Sequence, residues 1–282
     1  MNQTTLSKEE IILRTKRKLF LHQHGEHESI FSGRGMDFRE VREYSSDDDI
    51  RHLNWKITAR VGKPYINTYN ETKQIHIVAV YLNSGGISFG EPKPKSDTAR
   101  EALVSLSYAT VHNHDSLSTL FYSESRQQWY PPSRHRAVVD NNFDRASQIE
   151  SIGEQIEFSN LSKEILQKLK RKSIIFLIGD FWDFGSDVDL GGLADRHELY
   201  CIIIRDRAEE TLSLRGRYQI SDPSSYNSQL LDIDSATATR YATLVEEHDT
   251  MLTRHLAKCR ISYTKIYTHD DTIDRLARLM RI

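Results

Sequence analysis

Gln74-Ile75-His76-Ile77-Val78-Ala79-Val80-Tyr81-Leu82-Asn83-Ser84-Gly85-Gly86 decides how the rest of the chain is read. Ile75–Leu82 is an almost unbroken apolar run, as expected of a strand buried on both faces. Asn83 to Gly86 then stop it with turn formers, and Ser96 is placed to cap a helix reaching about Val111. The same rhythm recurs downstream. Ser116–Ser123, Ser173–Gly179, Leu199–Arg205 and Ile261–Tyr267 read as strands. Asn142–Ile149, Ser159–Leu169, a segment ending near Arg196, Ser235–Lys258 and Asp271–Met280 read as helices. A short strand at Tyr218–Ser221 is expected to pair as a hairpin with Leu230–Ile233. Strands alternating with helices predict an α/β fold with a mostly parallel sheet covered on both faces. Ligands of such sheets sit at the carboxyl ends of strands, here at Asn83–Gly86, Gly179–Trp182 and Arg205-Asp206.

Upstream of this region the pattern is different. Ser7 to Leu21 reads as a helix, with Ser7 and Glu10 spaced as a capping box and a basic cluster at Arg14, Lys16, Arg17 and Lys18. Residues 25–72 are charged and turn-rich, ending in Pro64–Tyr69, whose β-branched and aromatic content predicts a strand. The expected division is therefore residues 1–73, helix plus irregular segment, and 74–282, the sheet domain. The whole chain has 282 residues, with 38 Lys+Arg against 40 Asp+Glu and a formal charge of -2, so no global basic field points to nucleic acid. Two cysteines, Cys201 and Cys259, make neither a disulfide framework nor a CxxC knuckle, which fits a reducing compartment. No apolar run reaches the roughly 20 residues of a spanning helix, and the polar start around Lys8, Glu9 and Glu10 carries no signal-peptide core. A cytoplasmic protein is expected.

The irregular segment holds the sharpest local signal: Gly33-Arg34-Gly35-Met36-Asp37-Phe38, then Arg42-Glu43-Tyr44, Asp48, and Arg51-His52-Leu53-Asn54-Trp55-Lys56-Ile57-Thr58-Ala59-Arg60. This resembles the signature of the family called domain of unknown function 58, in which Gly usually precedes the Asp where this chain has Asp47. The resemblance implies a von Willebrand factor A-like domain after the signature, and a MoxR-type AAA+ ATPase, or its client, as partner. Physically, Arg42, Arg51 and Arg60 with Asp48, Tyr44 and Trp55 could form a staple of guanidinium forks and one stacked indole, a partner-docking surface, or an anion site. Spacing alone does not separate these. After Arg205, Asp206-Arg207-Ala208-Glu209 resembles the family's D-x-x-E element, and reads on its own as a helix or turn cap.

Many von Willebrand A-like domains hold Mg²⁺ or Mn²⁺ through D-x-S-x-S after the first strand, a later Thr and a further Asp. In that register Asn83 takes the Asp position, Gly85 and Ile87 the Ser positions, Ser159 that of the Thr, and Asp180 that of the last Asp. Ser84 and Ser88 are each one residue out of step. Losing a carboxylate and two hydroxyls predicts no metal and no other cofactor. The edge formed by Asn83, Ser84, Gly85, Ser159, Asp180 and Trp182 is expected to serve interactions instead, with Phe181, Trp182 and Phe184 either packed under a loop or offered to a partner.

Enzyme motifs are missing: no phosphate loop, nucleophile elbow, HExxH or kinase set occurs. His22, His24 and His27, with His112 and His114 elsewhere, lack companions at firm metal-ligand spacing. The expectation is a non-catalytic adaptor. Two alternatives stand beside it: a metal-dependent phosphoesterase using Asp47–Asp49 and His52, and an anion- or nucleic-acid-binding module using Arg14–Lys18 and the signature arginines.

Overall fold

The apolar run at 76–82 lies at the centre of a six-stranded sheet. The computed structural model describes residues 6–23, 37–46, 48–70, 75–91 and 93–280. In chain order the elements are α1 (Lys8–Gln23), β1 (Asp37–Glu43), α2 (Trp55–Val61), β2 (Tyr65–Asn70), β3 (His76–Leu82), α3 (Lys95–His112), β4 (Ser116–Tyr122) and β5 (Gln127–Ser133). They continue as α4 (Ala137–Gln148), α5 (Phe158–Lys168), β6 (Ile174–Gly179), α6 (Gly191–Ala194), β7 (Glu198–Arg205), α7 (Arg207–Glu210) and β8 (Gly216–Ser221). Last come β9 (Ser228–Ile233), α8 (Ser235–Lys258), β10 (Ser262–Tyr267) and α9 (Thr272–Leu279). Two compact units result, one of residues 32–74 and one of the chain on either side.

In the larger unit the strand order is β10-β7-β6-β3-β4-β5, parallel throughout except for the antiparallel edge pair β4–β5. The expected α/β fold is what forms. Ile77, Ala79 and Tyr81 face a core built with α1, α3, α4 and α9, while Val78, Val80 and Leu82 face α5, α6 and α8. Burial on both sides explains the lack of alternation in β3. The chain runs from β3 to β4 and β5 on one side and then returns to β6 on the other side of β3, so a topological switch point lies at the C-terminal ends of β3 and β6. The β8–β9 hairpin pairs Tyr218 with Leu231, as expected.

Three differences from the sequence reading have physical causes. The helix α1 belongs with the sheet unit, not with the irregular segment: Ile11 is fully buried in the core shared with α3 and α9, and Thr15 Oγ1 donates to Ser105 Oγ at 3.0 Å. The boundary at 73/74 therefore places α1 on the wrong side. Second, α3 begins at Lys95, with Pro94 at the cap position at φ −66, so Ser96 lies inside the first turn and caps nothing. Third, β5 carries Pro131 and Pro132 and gave no strand signal; as an edge strand it tolerates residues that donate no ladder hydrogen bond.

The smaller unit pairs β1 with β2, Val41 opposite Asn67 and Glu43 opposite Tyr65. Between them α2 is capped by Asn54, whose Oδ1 accepts from Ile57 N–H at 3.1 Å, and closed by Gly62 in the left-handed region at φ 74. Asn54 Nδ2 also donates to Asn67 Oδ1 at 2.8 Å, tying the helix start to β2. The strand at Pro64–Tyr69 is thus present as β2, while β1 and α2 were not legible as elements.

Candidate functional site

Three strand ends and the start of α3 meet at the switch point of the sheet. Asp180 follows β6, and Ser84, two residues beyond β3, donates its hydroxyl to Asp180 Oδ1 at 2.9 Å. The other carboxylate oxygen, Oδ2, accepts from Lys95 Nζ at 3.1 Å. Lys95, the first residue of α3, is wholly buried, and its ammonium also reaches Glu209 Oε2 at 2.6 Å. One cation therefore sits between two carboxylates with almost no water. Burial pushes the Glu209 carboxyl above its ordinary value, and the attraction of Lys95 offsets this only in part. A cation at a helix N-terminus opposes the helix dipole, and the two carboxylates compensate it.

Glu209 reaches this position because Asp206 starts α7. Asp206 Oδ1 accepts from Ala208 N–H at 2.8 Å, Glu209 Oε1 accepts from Asp206 N–H at 3.2 Å, and the two form a capping box. The D-x-x-E element is thus a cap, as its residues suggest, and its Glu additionally holds Lys95. Beside it the wholly buried Arg205 donates to the main-chain carbonyl of Asp180 and, through Nη2, to Asp249 Oδ1 at 3.0 Å. Its guanidinium lies 3.6 Å from the ring centroid of Trp182. Lys265 Nζ adds bonds of 2.6 Å to both Asp249 and Glu210. Burial alone would raise the Asp249 carboxyl; His248, Lys265 and Arg205 around it outweigh this and hold it below the usual carboxylate range.

The expected interaction edge is largely covered. Asn83, Ser84 and Asp180 are each at most 2% exposed. Asn83 is spent internally: its Nδ2 donates to Glu150 O, and its Oδ1 accepts from Ser151 Oγ, both at 2.8 Å. A Cβ on Gly85 would stand 2.3 Å from the Pro223 carbonyl oxygen, so the β8–β9 tip closes over the position where the metal-binding pattern has Ser. Ser159 lies in the first turn of α5, its N–H donating to Glu157 at 3.1 Å, rather than in this set. Phe181 and Phe184 pack on Phe158 at 5.6 and 5.2 Å and belong to the core. Trp182, half-buried, lies against the Arg205 guanidinium, with the His248 ring tilted 5.0 Å away. Of the expected edge, Asn83, Ser84, Gly85 and Asp180 are therefore buried, while Ser159 and Trp182 are half-buried. Lys95 was missed because Lys93-Pro94-Lys95 reads as ordinary basic surface.

In the smaller unit the signature residues separate. Arg42 grips Asp48 with two bonds of 2.9 and 2.6 Å, and Ser45 N–H adds a third at 2.8 Å, which hold the Asp48 carboxyl below its ordinary value. Tyr44 N–H bonds Pro64 O at 2.9 Å. Asp49 accepts from Arg51 N–H at 3.0 Å, yet the Arg51 side chain is 89% exposed. Trp55 is 69% exposed and Arg60 is exposed too, so the single locked knot of arginines and indole does not form. Of the phosphoesterase set, Asp48 is paired with Arg42 and Asp49 with Arg51, while Asp47 lies outside the described residues. Gly33 to Met36, His24 and His27 also lie outside them, as does the side chain of His22. Of the basic cluster in α1, Arg14 pairs with Asp271 at 2.6 Å and Lys18 with Asp274 at 2.7 Å, tying α1 to α9.

Over residues 40–251 the chain matches the family described as Protein of unknown function DUF58. The chain belongs to this family. Uncharacterized proteins of Mycobacterium bovis and Mycobacterium tuberculosis are 22% identical to this DUF58 chain over 273 residues, covering 95% of it and 86% of their own length. Among solved structures, BatB from Bacteroides thetaiotaomicron shares 7% identity at a TM-score of 0.45, covering 73% of this chain and 96% of that one. An aerotolerance-related membrane protein from Bacteroides fragilis shares 10% at the same score and the same coverage. The fold of the DUF58 chain is α/β, a mostly parallel six-stranded sheet with a central first sheet strand and one antiparallel edge strand. Among the described residues no helix is long and apolar enough to cross a membrane.

Proposed function

We propose that this DUF58 chain is a non-catalytic adaptor that binds a MoxR-type AAA+ ATPase, or a client which that ATPase remodels, through contacts needing no bridging metal ion. The observation that carries the reading is the exposure of Trp55 and Arg51, at 69% and 89%, beside Ile50 at 62%. Trp and Arg are the side chains most enriched at the energetic centres of interfaces, and a tryptophan serving as a staple would be buried. The family signature supplies the class of partner. The sheet-top set supports the metal-free part of the reading. A divalent ion wants about six oxygen ligands, whereas here Asp180 and Glu209 share the Lys95 ammonium and the Asn83 oxygen is bonded to Ser151. The residues present fit a lysine, not Mg²⁺.

The test is retrieval of partners from source-cell lysate by the tagged chain, with and without ATP, read by mass spectrometry. Wild type is expected to retrieve a MoxR-type ATPase, and an Arg51→Ala/Trp55→Ala variant, equally folded, to lose it. Equal retrieval by both would move the interface off the signature, and retrieval by neither would contradict the adaptor reading.

A further inference from the structure

Far along the chain from the sheet-top ion pairs, a thiol and a carboxylate converge on one imidazole nitrogen. His255 and Cys259 stand four residues apart, in the last turn and at the C-cap of α8, with Cys259 Sγ 3.5 Å from His255 Nε2. Asp189, in the loop entering α6, places Oδ1 3.9 Å from the same Nε2. All three ligand atoms lie within 4.8 Å of one another. A tetrahedral zinc with bonds of about 2.0 Å to nitrogen and 2.3 Å to sulfur has ligand–ligand edges of about 3.5 Å. The spacing already on the page is close to that.

We propose that Asp189, His255 and Cys259 bind a borderline transition-metal dication, Zn²⁺ in the first instance, with the fourth position left to water or an incoming ligand. The first argument is where the groups point. In a catalytic relay a carboxylate orients the imidazole through one nitrogen while the other nitrogen serves the thiol. Here the carboxylate and the thiol address the same nitrogen, the geometry of co-ligands rather than of proton transfer. The second is tautomer. Leu190 N–H donates to His255 Nε2 at 3.1 Å, so this nitrogen carries a lone pair, as a metal ligand must. A metal would take that lone pair from Leu190, and one neutral hydrogen bond is a small loss against thiolate and imidazole coordination.

The third argument is support. Gly191 N–H donates to Asp189 Oδ1 at 2.8 Å, and a Cβ on Gly191 would stand 3.0 Å from that oxygen, so glycine keeps the carboxylate in place without crowding it. The Phe184 ring, 5.3 Å from the imidazole, fixes the other side of His255. The ligand set also chooses the metal: Mg²⁺ and Ca²⁺ call for oxygen alone, while one thiolate, one imidazole and one carboxylate suit Zn²⁺ or Co²⁺. Asp189 is 77% exposed, which gives the ion a way in. His255 also borders an open surface depression along α8 with Glu247, Met251 and Arg254. None of this rests on the adaptor reading.

The experiment is a Co²⁺ titration of the full, reduced chain, followed by its thiolate-to-cobalt charge-transfer absorption, then displacement by Zn²⁺. The chain has two cysteines, and Cys201 is wholly buried in β7, so the band reports Cys259. One equivalent of Co²⁺ is expected to produce the band and Zn²⁺ to abolish it. Cys259→Ser should remove it, Cys201→Ser should keep it, and Asp189→Asn, at an exposed position that leaves folding intact, should weaken affinity by about tenfold or more. Absence of the band at millimolar Co²⁺, or its persistence in Cys259→Ser, would overturn the proposal.

Discussion

Lys95 carries its charge with no exposure to solvent, between two carboxylates that depend on it. Removing one member of such a set leaves the others buried and uncompensated, which costs about 3–5 kcal/mol. Lys95→Met is accordingly expected to destabilise the chain by that amount in urea unfolding at neutral pH. The loss should shrink on acidification, because protonating Glu209, whose carboxyl burial already raises, removes a charge left without a partner. A cost under about 1 kcal/mol, unchanged with pH, would contradict the arrangement. Asp183 offers a second check of the same region. Its carboxyl is pushed up to about 6 by burial, with the charges of Asp180 and Asp222 adding to it, although Ile156 N–H donates to it at 2.9 Å. A raised carboxyl penalises the folded state where it is ionised: the penalty is absent below the unfolded value near 4, grows through about 6, and is complete above that. Asp183→Asn is therefore expected to stabilise the chain by about 1–2 kcal/mol at pH 8 and by almost nothing at pH 4, with solvent screening at this partly exposed site taken into account. Equal effects at both pH values would count against it. Asp180 could be found from sequence because it follows an unmistakable strand. Lys95 could not, since no spacing rule says that a lysine after a proline will turn inward.

At the scale of elements, α1 shows which forces hold a helix to the sheet unit. Its ion pairs to α9, Arg14–Asp271 and Lys18–Asp274, are partly exposed and belong to a class worth about 0–1 kcal/mol each. Ile11 is wholly buried among α3 and α9, and truncating such a side chain costs about 2–5 kcal/mol. Ile11→Ala should thus destabilise the chain more than Arg14→Ala and Lys18→Ala together, as measured by urea unfolding; the reverse order would mean that charge, not packing, docks α1. The buried strands β3, β6 and β7 were legible because a strand covered on both faces must be apolar along its length. The edge strand β5 and the paired β1 were not, since Pro131-Pro132 and the charges of Asp37–Glu43 fit strands with less to bury. For α2 a signal did exist: Asn54 at the cap and Gly62 at the close are the usual punctuation of a helix, and the acidic and basic residues around them masked it.

For the whole molecule, the residues that sequence spacing drew into one signature do not act as one cluster, and most residues expected to form an open edge are buried, Gly85 directly beneath the β8–β9 tip. In the smaller unit Ile50, Arg51 and Trp55 are exposed; in the larger one Lys95 is buried with Asp180 and Glu209. The claim on which the account depends is that the Asp180 and Glu209 carboxylates are spent on the Lys95 ammonium and leave no site there for a divalent ion. Its most direct test is calorimetric titration of Mg²⁺ into the purified chain, an ion that the thiolate and imidazole of Cys259 and His255 would not hold. The account predicts no saturable heat up to millimolar Mg²⁺. Saturable micromolar binding that disappears in Asp180→Asn would contradict it.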